Sequence, residues 1–566
     1  MKQTNKMKSA AIGVFAAMMM LSACSSGNSD NGADPTDKAD PSASPSGNSE
    51  ASAAPSSAEP DLMAKYDPPV DITAWRYTES TYQYENGDTI ENNIYTKAYE
   101  SDLGIKLKYQ WTVPVEQFDQ KLNVSIASGD LPDIMWLKNK QLTDLADNDM
   151  LYDLTDLFDK YASPITKEIL LQDEASFNTA KIGGKLMAIP STASAVDGLP
   201  ILYVRTDWLN KLGLPEPKTM DDVIKIAEAF TTQDPDGNGK PDSFGIGLTK
   251  TFMTDGQFGG SGFFSGYHAY PEKWVKDASG QLVYGSIQPE MKAALLELQD
   301  MYKKGMLDKE FGVKDRAKVT ESVVGGKLGM FYGTMSAPLS VIQENVNKDP
   351  NAEWKAFPLV SADAQPATPI GKMPVSRYFA VSKNSKHPEA IIKLLNFSME
   401  GFKPDAVDNG FGYSKNNIPV YLYSLISAEP AKKNLNAHLN VMSALQANDP
   451  SKLSTEEKGY YDKVVDFRGG DRANWGTERV FGSPSSFDVI NQYVNDNNYI
   501  FDAFYGSLTP TMVDKLSSLQ KMEEEVITKI IMGQSIDTFD KFVQDWKKLG
   551  GDQITKEANE WAEKSK

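Results

Sequence analysis

Between Ile105 and Trp111 apolar and polar residues alternate, with Ile105, Leu107, Tyr109 and Trp111 set against Lys106, Lys108 and Gln110. A period of two predicts a strand with one buried face. Val70 to Trp75 reads as an earlier strand, and Phe118, Leu122 and Ile126 share one face of a helix that Ser128-Gly129-Asp130 ends. Asp133 to Leu137 follows as a short buried strand. Strand, helix and strand at this spacing predict βαβ units and an α/β fold. Further helices are predicted over Thr219 to Phe230, Pro388 to Met399, Met512 to Met532 and Asp537 to Leu549. Glu523-Glu524-Glu525 falls on the third of these and reads as a solvated face, whereas Trp208, Trp546 and Trp561 read as packing residues. No short-period repeat occurs.

Two stretches depart from this pattern. Lys2, Lys6 and Lys8 precede an apolar run from Ala10 to Leu21 and the small residues Ser22 and Ala23. That order describes a secretion signal over residues 1–23, too short to serve well as a permanent membrane span. Residues 24–61 are then rich in Ser, Ala, Pro, Asp and Gly, and no aromatic residue occurs there. Such a segment cannot bury enough surface to order itself, and is expected to be a tether with a reach of roughly 30–35 Å.

Cys24 is the single cysteine of the 566 residues. It leaves no thiol for a disulfide, a zinc site or a nucleophile. The formal charge is −19, and removal of Lys2, Lys6 and Lys8 takes it to −22. So acidic a surface argues against nucleic acid and anionic lipid as partners.

Leu21-Ser22-Ala23-Cys24 resembles the lipobox of bacterial lipoproteins. That resemblance implies acylation of Cys24 and attachment to the membrane through lipid alone. Ser25 rather than Asp follows the cysteine, which favours a single-membrane cell. The implied location is the extracellular face of the cell membrane.

Four further segments carry a second resemblance. They are Ala127-Ser128-Gly129-Asp130-Leu131-Pro132-Asp133-Ile134, the run Tyr203 to Pro215 with Pro217-Lys218-Thr219 after it, Gly326-Lys327-Leu328-Gly329-Met330, and the tail from Ile530 to Gly551. In this order they resemble bacterial extracellular solute-binding proteins of the oligosaccharide type, within the large lipoprotein branch that includes alginate-oligosaccharide binders. The similarity runs from about residue 66 to the end. It implies a two-lobe periplasmic-binding-protein-like fold of type II, with the ligand in a cleft between lobes joined by a hinge of several strands. The implied division gives 62–192 and 369–430 to the N-lobe, and 193–368 and 431–566 to the C-lobe.

Asp234, Asp236, Asn238 and Asp242 place oxygen side chains at nearly alternate positions, with Gly237 and Gly239 allowing a tight turn and Lys240 offering its carbonyl. These residues are expected to bind a structural calcium ion. Position twelve, counted from Asp234, is Gly245 instead of the glutamate of an EF-hand. The alternative is a plain Asp/Gly/Asn turn between a helix and a strand.

A sugar cleft needs flat apolar faces and planar polar groups. Trp75, Arg76 and Tyr77 end the first strand, Asp130 lies in a turn, and Trp136 ends a later strand. Phe263, Phe264, Tyr267 and His268 lie in a loop rich in glycine and aromatics, Tyr332 follows a Gly-rich strand, and Arg377 and Tyr378 sit where the resemblance implies a second crossing between the lobes, near Pro369 to Tyr378. Trp475 stands in Asn474-Trp475-Gly476 as an exposed aromatic. The expected ligand residues are Trp75, Tyr77, Asp130, Trp136, Phe263, Tyr267, Tyr332, Arg377 and Trp475.

His268, His387 and His438 are not spaced as a metal pair, and no nucleophile elbow or P-loop occurs. The expected activity is therefore capture of an oligosaccharide by a monomeric, non-enzymatic receptor. The family implies delivery to ABC permease subunits with a cytosolic ATPase. The acidic balance favours a neutral sugar, while Arg76, Arg377 and Arg472 keep a uronate open. A carbohydrate-active enzyme, whether glycoside hydrolase or lyase, would convert its sugar; a surface adhesin or sensor would show neither an associated permease nor cleft closure.

Overall fold

A computed structural model describes residues 61–79, 82–402, 410–412, 414, 416 and 418–564. The leader, Cys24 and nearly all of the tether lie outside these residues. The first strand, β1 (Val70–Thr78), runs parallel to β2 (Ile105–Pro114), from Val70 opposite Ile105 to Thr78 opposite Pro114, with a bulge between Ala74 and Trp75. Helix α1 (Ile94–Leu103) joins them. Its capping box is Asn93, whose side chain accepts from the Tyr95 and Thr96 amides. It stops at Gly104, at φ 67°, where a Cβ would stand 2.3 Å from the Tyr66 carbonyl oxygen. Only glycine fits that close approach in a left-handed turn.

Helix α2 (Val115–Ser128) returns the chain to β3 (Ile134–Leu137), which pairs with β1, and α3 (Asn139–Asp147) follows. The Thr73 amide and hydroxyl both donate to Asp133 Oδ2, at 2.9 and 2.7 Å, and pin the start of β3 to β1. The strands Val375–Val381 and Ile189–Thr192 complete a five-stranded sheet in the order β2, β1, β3, Val375–Val381, Ile189–Thr192. Val375–Val381 is antiparallel to both of its neighbours, so the other four strands all point the same way.

This sheet and its helices bury one core, drawn from Ile72 to Ile189 and from Tyr378 to Ala428. A separate, larger core draws on Val196 to Ala367 and Leu435 to Ala558. It surrounds a three-stranded antiparallel sheet with Ile201–Arg205 between Met330–Gly333 and Trp354–Phe357. The chain passes from one core to the other three times. The passages are tied by Ala193 N–H to the Pro374 carbonyl (3.0 Å), Ala195 N–H to the Ala431 carbonyl (2.8 Å), and a parallel pairing of Ile370–Gly371 with Ile500–Phe501.

Helix bounds follow the pattern of the chain closely: Met220–Thr232, Ala390–Met399 and Pro510–Ile531. The final predicted helix differs. It ends at Trp546, passes through a wide turn at Lys547–Gly551 with Gly550 at φ 136°, and restarts as Asp552–Lys564. Glu523 is also corrected: it is fully buried rather than solvated, because its turn of the helix packs on Tyr284. Among the described residues no helix is long and apolar enough to cross a membrane.

Candidate functional site

All three passages leave the first sheet at one edge, where β1, β2 and β3 end and Val375–Val381 begins. In parallel sheets this carboxyl edge is where ligands bind. Here Tyr77 packs edge-on against Trp136 (ring centroids 5.0 Å apart) and Phe118 (5.5 Å). Arg377 lies over Tyr77 at 4.6 Å and near Trp136 at 5.5 Å, and Arg76 lies over Trp136 at 4.6 Å. The rings and both guanidiniums therefore form one half-buried to buried cluster.

The second sheet turns a corresponding edge toward the passages. Its central strand starts there at Ile201, opposite Gly333, so the segment Thr334–Ser336 lies at that edge. The Gln257 amide donates to Thr334 Oγ1 (3.2 Å) and Ser336 Oγ (3.4 Å), while its Oε1 has no partner. Near the same passages, Lys273 pairs with Asp255 at 2.5 Å, both side chains largely buried. Asp502 receives the Trp274 amide at 3.1 Å; burial pushes its carboxyl up, and Lys273 partly offsets this. The lobes touch directly where Asn139 donates to the Tyr505 carbonyl (3.1 Å) and Thr143 meets Ser507 Oγ (3.1 Å).

The nine expected ligand residues separate into groups. Tyr77, Trp136 and Arg377 meet at the first edge. Trp75 lies behind it, fully buried, stacked on Trp111 at 5.3 Å and donating to Gln110 Oε1. Phe263 and Tyr332 are buried in the second core, and Tyr267 packs on Phe263. Trp475 is corrected from exposed to 1% exposed. It begins the helix Trp475–Phe481, whose Gly476 lies so close to the Pro338 carbonyl that a Cβ would stand 2.3 Å from its oxygen. Asp130 is exposed beyond the end of α2, at the opposite edge of the sheet, and is not brought to the others. Arg472 is exposed and reaches Glu353 at 4.0 Å. Tyr109, Thr112 and Gln257 were missed by sequence reasoning, although the alternation over Ile105–Trp111 already turns Tyr109 inward.

The acidic loop forms a tight turn with Asp234, Gly237 and Gly239 all at positive φ. Asp234 accepts from the Asn238 and Gly239 amides at 3.1 Å each, and the Asn238 side-chain amide donates to Asp236 (2.6 Å) and Asp242 (3.0 Å). Burial, with Asp234 and Asp242 close by, pushes the Asp236 carboxyl up. Among the described residues no three acidic, cysteine or histidine side chains stand at metal-holding distances. The donor set nevertheless fits a hard cation: three carboxylates, an amide and the Lys240 carbonyl share one turn, and their mutual repulsion is what a divalent ion relieves.

The profile of the family described as bacterial extracellular solute-binding protein matches residues 83–399. Lipoprotein LipO of Bacillus subtilis (strain 168) is 25% identical over 481 residues, 83% of this chain and 89% of LipO. The polygalacturonan/rhamnogalacturonan-binding protein YtcQ of the same organism is 24% identical over 485 residues, 82% of this chain and 87% of YtcQ. Among solved structures, the S. pneumoniae ABC-transporter substrate binding protein FusA in complex with kestose superimposes with a TM-score of 0.54 at 18% identity, covering 87% of this chain and 99% of FusA. An EF-hand mutant of FusA in complex with fructo-nystose superimposes with a TM-score of 0.53 at 17% identity, over 87% and 99% of the two chains. These likenesses show a shared α/β fold.

Proposed function

This chain belongs to the bacterial extracellular solute-binding protein family, whose members bind their solute and are not enzymes, and from that premise we propose that it captures an oligosaccharide between its two lobes and hands it to an ABC importer. The observation that carries this reading is the pair of sheet edges at which the passages between the two cores begin and end. One carries Tyr77, Trp136 and Arg377; the other carries Gln257, whose buried oxygen has no partner. Rings supply platforms for sugar faces, and planar amide and guanidinium groups read hydroxyls. The lobes joined by three passages close on the ligand, and binding energy selects the closed form that a permease distinguishes from the empty one. The names of FusA, an ABC-transporter protein held with kestose, and of YtcQ, a binder of acidic polysaccharides, support a saccharide. Trp75, Phe263, Tyr332 and Trp475 brace the cleft from behind.

Two finer points belong to the same proposal. Cys24 carries the acyl anchor on the outer face of the membrane, a reading supported by the name of LipO; labelled palmitate should enter the wild-type chain and not Cys24→Ala. Asp234, Asp236, Asn238, Lys240 and Asp242 hold a structural calcium ion, supported by the existence of an EF-hand in FusA. The ion would draw the three carboxylates together; these residues pin the turn after the helix Met220–Thr232 and take no part in the cleft.

The test is a thermal-shift and calorimetric screen of residues 61–566 against neutral and acidic oligosaccharides, with recovery of the sugar by mass spectrometry. A ligand at 100 times its Kd should add about 2.7 kcal/mol. An intact recovered sugar is the expected result; a cleaved one would overturn the reading in favour of an enzyme.

A further inference from the structure

Seven arginines occur in the chain. Arg205 is paired with Asp207 and Asp349, Arg468 with Glu478, and Arg472 and Arg479 with Glu353. Arg316 is exposed. Arg76 and Arg377 remain, and neither has a carboxylate within 4 Å among the described residues. Both flank the same two rings, Tyr77 and Trp136, at the ligand-facing edge.

Arg76 is 1% exposed. Its Nη2 donates to the Leu422 carbonyl at 2.6 Å, while Nε and Nη1 have no partner. Beside it in the sheet, Thr112 is its direct cross-strand neighbour and Tyr109 points to the same face; the hydroxyls of both are buried without a partner. A guanidinium this deep costs several kcal/mol unless a counter-charge meets it. Stacking on Trp136 recovers only part of that. All four unpartnered groups can donate, and a guanidinium cannot accept. A cluster of donors that carries two positive charges and, among the described residues, no acid selects an anionic acceptor, such as the carboxylate of a uronic acid.

We propose that the Arg76–Arg377 cluster recognises a carboxylate on the captured saccharide, so that the ligand is a uronic-acid oligosaccharide rather than a neutral one. This rests on the saccharide reading above and reverses the expectation drawn from net charge. Two cations without a counter-charge among the described residues set a positive local potential inside a chain of charge −19. Arg377, half-buried at the mouth, meets the carboxylate directly; Arg76 holds the inner donors.

The test is calorimetry of residues 61–566 with tetramers of galacturonate, guluronate and mannuronate, with their methyl esters, and with neutral galactotetraose. At least one acidic tetramer should bind, and esterification should weaken it at least 30-fold. Arg377→Gln should weaken the acidic ligand at least tenfold more than its methyl ester, with an unaltered melting temperature showing that the variant folds. Arg76→Lys, which keeps the charge but loses the planar donors, should weaken the acidic ligand by a smaller factor. Equal binding of acid and ester, or an equal loss of both in Arg377→Gln, would overturn the carboxylate proposal while leaving the saccharide reading intact. Binding of no sugar, acidic or neutral, would overturn both.

Discussion

The Tyr284 hydroxyl donates to Glu523 Oε2 across 3.0 Å, in a place from which water is excluded on both sides. Burial, before any other influence, pushes the Glu523 carboxyl up to about 8, from an ordinary value of 4.5. Below pH 4.5 the group is neutral in folded and unfolded chains alike. Above it the unfolded chain ionises while the folded chain resists, so stability falls as pH rises from about 4.5 to about 8. Glu523→Gln should be more stable than the wild type at pH 8.5 by about 2–4 kcal/mol, and nearly equal at pH 4.5. Urea denaturation at both pH values checks this; parallel pH slopes for the two proteins would refute it.

Arg205 grips Asp207 through Nε at 2.8 Å and Nη2 at 2.6 Å, reaches Asp349 at 3.2 Å, and stacks over Trp208 at 4.8 Å. Lysine keeps the charge but neither the fork nor the flat face. Arg205→Lys is expected to cost about 2–4 kcal/mol. Denaturant titration measures it, and a loss below the error of the method would show the pair to be dispensable.

Calcium removal should act on stability and not on recognition. Chelation is expected to lower the melting temperature, by an amount equivalent to about 1–3 kcal/mol at millimolar calcium. Asp236→Ala should melt at the chelated temperature whether or not calcium is present. An unchanged wild-type melting temperature after chelation would remove the ion from the account.

Asn139 and Thr143 on α3 hold Tyr505 and Ser507 of the other lobe. Asn139→Ala with Thr143→Val should loosen the closed form without touching the cleft. Small-angle scattering is expected to show a larger radius of gyration for the unliganded variant, and sugar affinity should drop several-fold. Identical scattering profiles would show that these contacts do not hold the lobes together.

Local order was legible wherever one stretch of chain decides it. The alternation over Ile105–Trp111, the Gly129 stop of α2 and the long helix expected over Met512 to Met532 depend on nearest neighbours. The order of the five-stranded sheet was not, because Val375–Val381 enters it from a distant part of the chain. The aromatic candidates show the same limit. Trp75 and Trp136 lie on β1 and β3, yet one stacks behind the sheet and the other lies at its edge cluster. Asp130 was misplaced because α2 returns the chain to the far edge before β3 begins. Arg76 stood in plain view after Trp75, but the lack of an acid around it among the described residues is a property of space and not of spacing.

The strand Val375–Val381 fills the gap between β3 and Ile189–Thr192, so the first sheet lacks its fourth strand until the whole 193–374 stretch has been made. A growing chain therefore carries β3 unpaired on one side, and Ile189–Thr192 without a partner in that sheet, until Val375–Val381 has been made. Joining partners so far apart in sequence slows folding far more than it weakens the finished sheet. The first sheet is therefore complete only once about two-thirds of the chain, 381 of 566 residues, has been made.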